Sequence, residues 1–328
     1  MAKPFSRRNF LSQTSLGAVA AVTPVALPSP SGQASEPPTG RRASLPKGKL
    51  GGLEITRLIL GSNIITHHIH ARDLNFVRTL GRRYNTDEKV LETFREAEAQ
   101  GVGAFMTQHE ERIVALFKKY REEEGGKLAW IVAPSPGEAK DAEGFARTAK
   151  ALVDHGANAL YVHGATTDPL VHGGNFAQVA KFVDILRGTG LPCGVGMHNI
   201  ESLKACEAAK LPCDFYLKTF HHLHYASAPR LEQIDHSTSW ACAETPNGYW
   251  CAKPEETAQL MRGVQQPWIA FKVMAAGAIP PAEAFEYAFR NGADFILAGM
   301  FDFEIADDVQ AARGVLDRVK ERARPWRG

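Results

Sequence analysis

The chain has little cysteine, almost no excess charge and no long apolar run. Its five cysteines, Cys193, Cys206, Cys213, Cys242 and Cys251, form no CxxC pair, and their odd number leaves at least one unpaired, which excludes a zinc ribbon or a disulfide-built scaffold. Cys193 and Cys213 each follow Leu-Pro and open apolar runs, so they are expected to be buried structural thiols. Cys242 and Cys251 share a long loop, where a disulfide is compatible with an exported protein. A net charge of +2 over 328 residues, with both signs interspersed, makes no basic field for nucleic acid. No apolar stretch is long enough for a stable membrane span, so no permanent anchor is expected. The HExxH pair of zinc peptidases is missing as well.

What is present begins with residues 6–11 (SRRNFL), a mildly apolar stretch at 16–27 and the small residues of Gly32-Gln33-Ala34. This order resembles a twin-arginine export signal. Residues 1–34 are therefore expected to be a signal peptide, with the twin-arginine export machinery as a partner and the periplasm or exterior as destination. Residues 35–49 are rich in Pro, Ser and Gly and read as a linker. That leaves 50–328 as one domain. Such export carries proteins already folded, often with cofactor inserted, which favours a cofactor or metal without requiring one.

Strand and helix signals then alternate eight times. Strands are expected at 57–62, 102–107, 128–133, 159–163, 193–198, 214–219, 268–273 and 294–299, with amphipathic stretches between them at 86–99, 139–154, 176–186, 200–209, 254–263, 281–290 and 305–321. This spacing predicts a parallel sheet closed into a (β/α)8 TIM barrel. Two connections are long: 63–84, holding His67, His68 and His70, and 220–253, holding four histidines with Trp240, Tyr249 and Trp250. Both follow strands and are expected to cover the barrel mouth.

Four runs end in an ionisable side chain: His163, His198, Lys218 and Lys272. Their predecessors Val162, Met197, Leu217 and Phe271 are apolar, so strand alternation puts the apolar set outward and the ionisable set inward, at the catalytic end of a barrel. Those four are the catalytic candidates. Substrate contacts are expected from His221, His222, Trp250 and Asn63, and from Gly277 and Gly299, whose small-residue loops are of the kind that approaches an anion. His163, His198 and His222 with Glu110 form a candidate divalent-metal set. Asp302, just past the last strand, is a candidate acid, base or ligand, or alternatively a cap.

Residues 49–62 (KLGGLEITRLILGS) resemble the opening of an aldo-keto reductase, and residues 159–168 (ALYVHGATTD) that family's fourth strand. The resemblance implies the barrel fold and places His163 on the family's catalytic histidine. Met106, however, stands where the aspartate belongs, no tyrosine follows it, and Ala133 or Pro134 replaces the lysine. A carbonyl oxygen receiving hydride would find no proton donor there, and the family's NADP phosphate loop is missing, so NADP is not expected. In the second half, Lys218-Thr219 and residues 271–279 (FKVMAAGAI) resemble the strand-six and strand-seven segments of deoxyribose-phosphate aldolase. That resemblance implies a Schiff base at Lys218, with Lys272 lowering its pKa; the acidic and lysine-bearing third and fourth strands of the aldolase are absent.

The residues point to an exported barrel enzyme acting on a small hydroxylated or carbonyl, sugar-like compound by Lys/His acid–base chemistry, as an isomerase, a lyase or aldolase, or a metal-assisted hydrolase. Two alternatives stand beside it: an NAD(P)-linked reductase of altered mechanism, and a non-catalytic ligand-binding barrel. No cofactor is required by the sequence, a divalent metal stays open, and a small molecule is the expected partner.

Overall fold

Eight short runs that are apolar on both faces need burial on both sides, which a closed parallel sheet wrapped in helices provides. A computed structural model describes residues 44–72, 74–230, 232 and 251–328 of the chain, all within the unit Ser44–Gly328. The expected signal peptide and Trp240, Tyr249, Trp250, His236 and Cys242 lie outside the described residues. An antiparallel hairpin comes first, β1 (Lys47–Leu50) and β2 (Leu53–Thr56), turning at Gly51 with φ +57°. β1 thus starts inside the stretch expected as linker. The barrel strands follow as β3 (Leu58–Gly61), β4 (Ala104–Gln108), β5 (Ala129–Ala133), β6 (Ala159–Val162), β7 (Cys193–Met197), β8 (Phe215–Thr219), β9 (Trp268–Phe271) and β10 (Phe295–Gly299). All pairs are parallel, and β10 closes on β3.

The helices are α1 (Asn75–Tyr84), α2 (Asp87–Ala99), α3 (Glu111–Glu122), α4 (Ala142–Asp154), α5 (Gly164–His172), α6 (Phe176–Arg187), α7 (Ile200–Ala208), α8 (Pro254–Gly263), α9 (Pro281–Arg290) and α10 (Ile305–Arg318). Thr86, Asp141 and Asn199 cap α2, α4 and α7 by accepting a backbone N–H from the first turn, satisfying donors a helix leaves open. Among the described residues no helix is long and apolar enough to cross a membrane.

Two apolar layers separate the strand faces. Ile59, Met106, Ile131, Tyr161, Phe215, Leu217, Ile269 and Phe295 fill the barrel interior, whereas Phe105, Trp130, Val162, Met197, Tyr216 and Trp268 pack outward on the helices. Large interior rings need small opposites: a Cβ at Gly194 would overlap the Phe215 ring. The layers correct the expected phase of two strands. Val162 and Met197 do face outward, but Leu217 and Phe271 face the interior, so Lys218 lies on the outward row of β8. The alternation argument failed there because β8 and β9 are apolar on both faces, which leaves period two without a marker of direction.

The N-terminal end of the barrel is closed. Leu50 and Ile55 of the hairpin join the interior layer beneath Phe215 and Phe295. Beside them, the fully buried Asp294 accepts from Arg324 at 2.6 Å, from the Trp268 N–H at 2.9 Å and from the Arg327 N–H at 2.9 Å. Arg322 adds a second cation at 3.5 Å. Arg57 donates to the carbonyls of Asp294 and Gly328, both at 2.9 Å, and its guanidinium sits 3.7 Å from the centre of the Trp326 ring.

Candidate functional site

The C-terminal mouth of the barrel is lined by nitrogen bases. His163 directly follows β6 and caps α5, its Nδ1 accepting the Ala165 N–H at 3.1 Å. A ring nitrogen that accepts carries no proton, so neutral His163 holds its proton on Nε2. Burial, then the repulsion that His198, when protonated, and Lys272 exert on a second charge, push its pKa down to about 3.

His198 directly follows β7 and is held the opposite way. Its Nδ1 lies 2.9 Å from Asp168 Oδ2, which also accepts the His198 backbone N–H at 2.7 Å. The other carboxylate oxygen accepts the Ser202 hydroxyl at 2.6 Å and the Asn199 N–H at 3.3 Å. Asp168 is buried within α5. A carboxylate that only accepts fixes the proton on Nδ1 and leaves the Nε2 lone pair. Burial is the main cause that lowers the His198 pKa; Asp168 opposes it, and Lys272 and Lys218 reinforce it. The ring meets Phe271 edge-on, with centroids 5.2 Å apart.

Lys272, one residue past β9, has φ +56°, and its Nζ lies 2.5 Å from His70 Nε2. The left-handed bend takes it off the outward row of β9 toward the mouth. Ala275 and Ala276 continue the strained turn at φ +47° and +56°, followed by Gly277 at +80°; non-glycine residues hold such torsions only where surrounding structure imposes them. His68 lies 3.2 Å from Glu110, whose hydrogen bond raises its pKa.

Other expected residues are placed elsewhere. Lys218 is buried behind the strand wall, donating to Thr219 O and Oγ1, both at 2.9 Å. It lines a cavity of about 30 Å³ with His198, Glu201, Cys251 and Thr257, room for water but not for a metabolite. Lys218 therefore does not stand beside Lys272 on the inward face, as the aldolase resemblance implies. His221 has both ring nitrogens engaged by backbone: Nδ1 with His222 O at 2.8 Å, and Nε2 accepting the Cys251 N–H at 3.2 Å. It staples the start of the long β8–α8 connection to its end, and Cys251 is a buried free thiol. His222 faces Glu283 at 3.2 Å beside α9.

The candidate metal set is thus dispersed. His163 and His198 stay in the mouth, Glu110 pairs with His68 and His222 with Glu283, because the loops after β4 and β8 carry the latter residues toward other partners. Among the described residues no three His, Cys, Asp or Glu side chains gather as metal ligands. Asn63 is exposed after β3, and a Cβ at Gly299 would come within 3.4 Å of the Ile64 side chain. Asp302 accepts from Tyr84 Oη at 2.7 Å and Lys89 Nζ at 3.0 Å, joining α1 and α2 to the end of β10.

Sequence reasoning had missed Asp168 and His70. Asp168 ends the reductase-like stretch 159–168, but nothing in its neighbours points to His198, 30 positions on. His70 carried a signal, the His68-x-His70 spacing, which puts two histidines within one loop.

The barrel places the chain in the large class of (β/α)8 folds, and comparison with known structures agrees. An aldo-keto reductase from Bacillus halodurans superposes with a TM-score of 0.52 at 11% identity, over 87% of this chain and 100% of that one. A mandelate oxidase gives 0.46 at 13% identity, over 84% and 75%, and a Yersinia pestis DHPS 0.43 at 11%, over 83% and 98%. At these identities the likeness shows the fold alone. No protein-family model and no curated protein matches the chain.

Proposed function

We propose that the protein is an exported barrel enzyme that moves a proton beside the carbonyl of a small hydroxylated, sugar-like compound, in isomerase or lyase chemistry. The observation that carries this reading is the opposite tautomer of two neighbouring histidines. His198 offers a lone pair on Nε2, and His163 offers an N–H. His198 Nε2 takes the proton from the carbon next to the carbonyl, and its Nδ1–H on Asp168 stabilises the imidazolium that forms. The electron pair moves to the carbonyl oxygen, which accepts the His163 Nε2–H. Return of the proton to the former carbonyl carbon, as the adjacent hydroxyl passes its own proton to the oxyanion, completes an isomerisation; in a lyase step the enolate pair instead breaks the bond to a group on the β-carbon, which leaves with the proton held on His198. Lys272, held against His70, adds positive charge near the developing oxyanion. Imine chemistry at Lys218 fits less well, since its amine is turned into the wall.

The test needs no known substrate. A panel of small hydroxyaldehydes and hydroxyketones is incubated with the protein in deuterium oxide, and loss of the α-proton signal is followed by NMR. His198→Gln is expected to slow exchange by ~10²–10⁴ fold, the usual contribution of a positioned base, and Asp168→Asn to slow it and alter its pH profile. Borohydride is expected to leave no adduct on Lys218. Exchange that survives His198→Gln unchanged, or no exchange with any member, rejects the reading. Export rests on residues 6–11: replacing Arg7 and Arg8 with Lys is expected to retain the protein in the cytoplasm, and normal export of that variant rejects it.

A further inference from the structure

We propose that the outer face of α1, together with the β10–α10 loop, docks the protein on an anionic lipid bilayer. Apart from Trp326, the exposed large apolar side chains among the described residues are Leu74, Phe76, Leu80 and Phe303; Phe76 and Leu80 lie on α1, Leu74 directly precedes it, and Phe303 lies on the joined loop. Phe76, Leu80 and Phe303 are each more than 60% exposed, at 68%, 63% and 63%. A monomer scatters such residues singly; gathered together they mark a contact surface.

The face is built rigidly. Gly81, on the opposite side of α1, lets the helix lie on Ile69, where any Cβ would overlap that side chain. Phe76, Leu80 and Arg83 recur at i, i+4 and i+7 on the outer side. Phe301 and Phe303 stack at 5.3 Å, and Tyr84 meets both rings edge-on at 5.7 Å. The Tyr84 and Lys89 bonds to Asp302 then lock helix and loop together. Phe303 is thus held exposed on the half-buried Phe301 and Tyr84.

Charge selects the occupant. α1 contains Arg78, Arg82 and Arg83 and no acidic residue, and Arg72 precedes it. The only charged groups of opposite sign on the joined loop are Asp302, already bonded to Tyr84 and Lys89, and Glu304, which accepts the Phe301 N–H at 3.2 Å. Arginines interleaved with exposed Phe and Leu on one short helix match an interfacial segment, whose rings enter the acyl boundary while its cations meet anionic headgroups. Self-association through this face would instead bring two arginine clusters together. Since α1 follows β3 and the loop follows β10, both at the C-terminal strand ends, docking holds the catalytic mouth beside the bilayer.

The full-length mature chain is sedimented with vesicles of phosphatidylcholine alone and of phosphatidylcholine mixed with phosphatidylglycerol. Binding to the mixed vesicles is expected to exceed binding to the neutral ones and to weaken with salt. The double variant Phe76→Ser, Leu80→Ser is expected to bind roughly tenfold or more weakly, from lost apolar insertion, with unchanged melting because both positions are exposed. Arg82→Gln with Arg83→Gln is expected to remove the preference for anionic lipid. No sedimentation with either vesicle, or binding indifferent to these substitutions, overturns the proposal. So does light scattering that shows a dimer converted to monomer by Phe76→Ser, Leu80→Ser, which would make the face a contact between copies. None of these readouts depends on turnover.

Discussion

The two ends of the barrel handle charge in opposite ways. At the N-terminal end, Asp294 is enclosed by two arginines and two backbone N–H groups, and Arg57 bridges the first barrel strand to the final residue. Burial lowers the pKa of Arg322 to about 10, and Asp294 works against that shift. At the C-terminal end, histidines are held neutral, and a lysine is held on a strained backbone. One end trades desolvation for complete pairing; the other holds its histidines neutral to lower pH than water would and its lysine on a left-handed turn. The separation matches the general division of this fold into a stability face and an active face.

Breaking the lower end has the largest expected effect on stability. Asp294→Ala strands buried arginines and is expected to cost ~3–5 kcal/mol, lowering the melting temperature by roughly 6–20 °C. α-Proton exchange per folded molecule is expected to be unchanged. A variant that loses exchange as fully as His198→Gln would erase the distinction between the two ends.

A smaller effect sharpens the upper end through pH. His221 is buried, and desolvation takes its pKa from an ordinary 6.5 to about 4. As pH falls below 6.5, the unfolded chain binds a proton at this residue that the folded chain refuses, so stability declines until about pH 4 and is then level. The share of His221 is up to about 3 kcal/mol, and His163 and His198 act in the same direction. The half-exposed His68 has the reverse sign: its raised pKa gives stability at low pH that is lost as pH rises, and solvent screens it. Denaturant unfolding across this range is expected to show a shallower acid slope in His221→Gln than in the parent. Equal slopes would mean that the staple does not depend on a neutral ring.

Much of the fold was legible because apolar runs such as 128–133 and 294–299 are short, dense and evenly spaced between amphipathic stretches. The hairpin escaped because Lys47-Gly48-Lys49 offers a single alternation inside a Pro- and Ser-rich region. α5 carries Pro169 and several small polar residues, which read as loop. In the candidate site, the mouth positions of His163 and His198 were legible from their places at strand ends. Lys218 was assigned to the wrong face, since nothing in Phe215-Tyr216-Leu217 tells inner from outer. The partnership of Asp168 with His198 spans 30 positions and exists only once α5 packs on the end of β7.

Lys218 and Lys272 began as equivalents, each preceded by an interior-facing apolar residue at a strand end. Lys218 continues its strand and remains a wall residue. Lys272 differs by the sign of one backbone torsion, φ +56°, and that reversal delivers its amine to His70. In evolutionary terms, a barrel of this kind need not exchange side chains to recruit a new group into its site. It can reuse a residue already on the outer row by bending the chain one step beyond the sheet, where no ladder hydrogen bond opposes the turn. The reverse step would retire the group just as simply, leaving a silent lysine in the wall as the trace of an earlier chemistry.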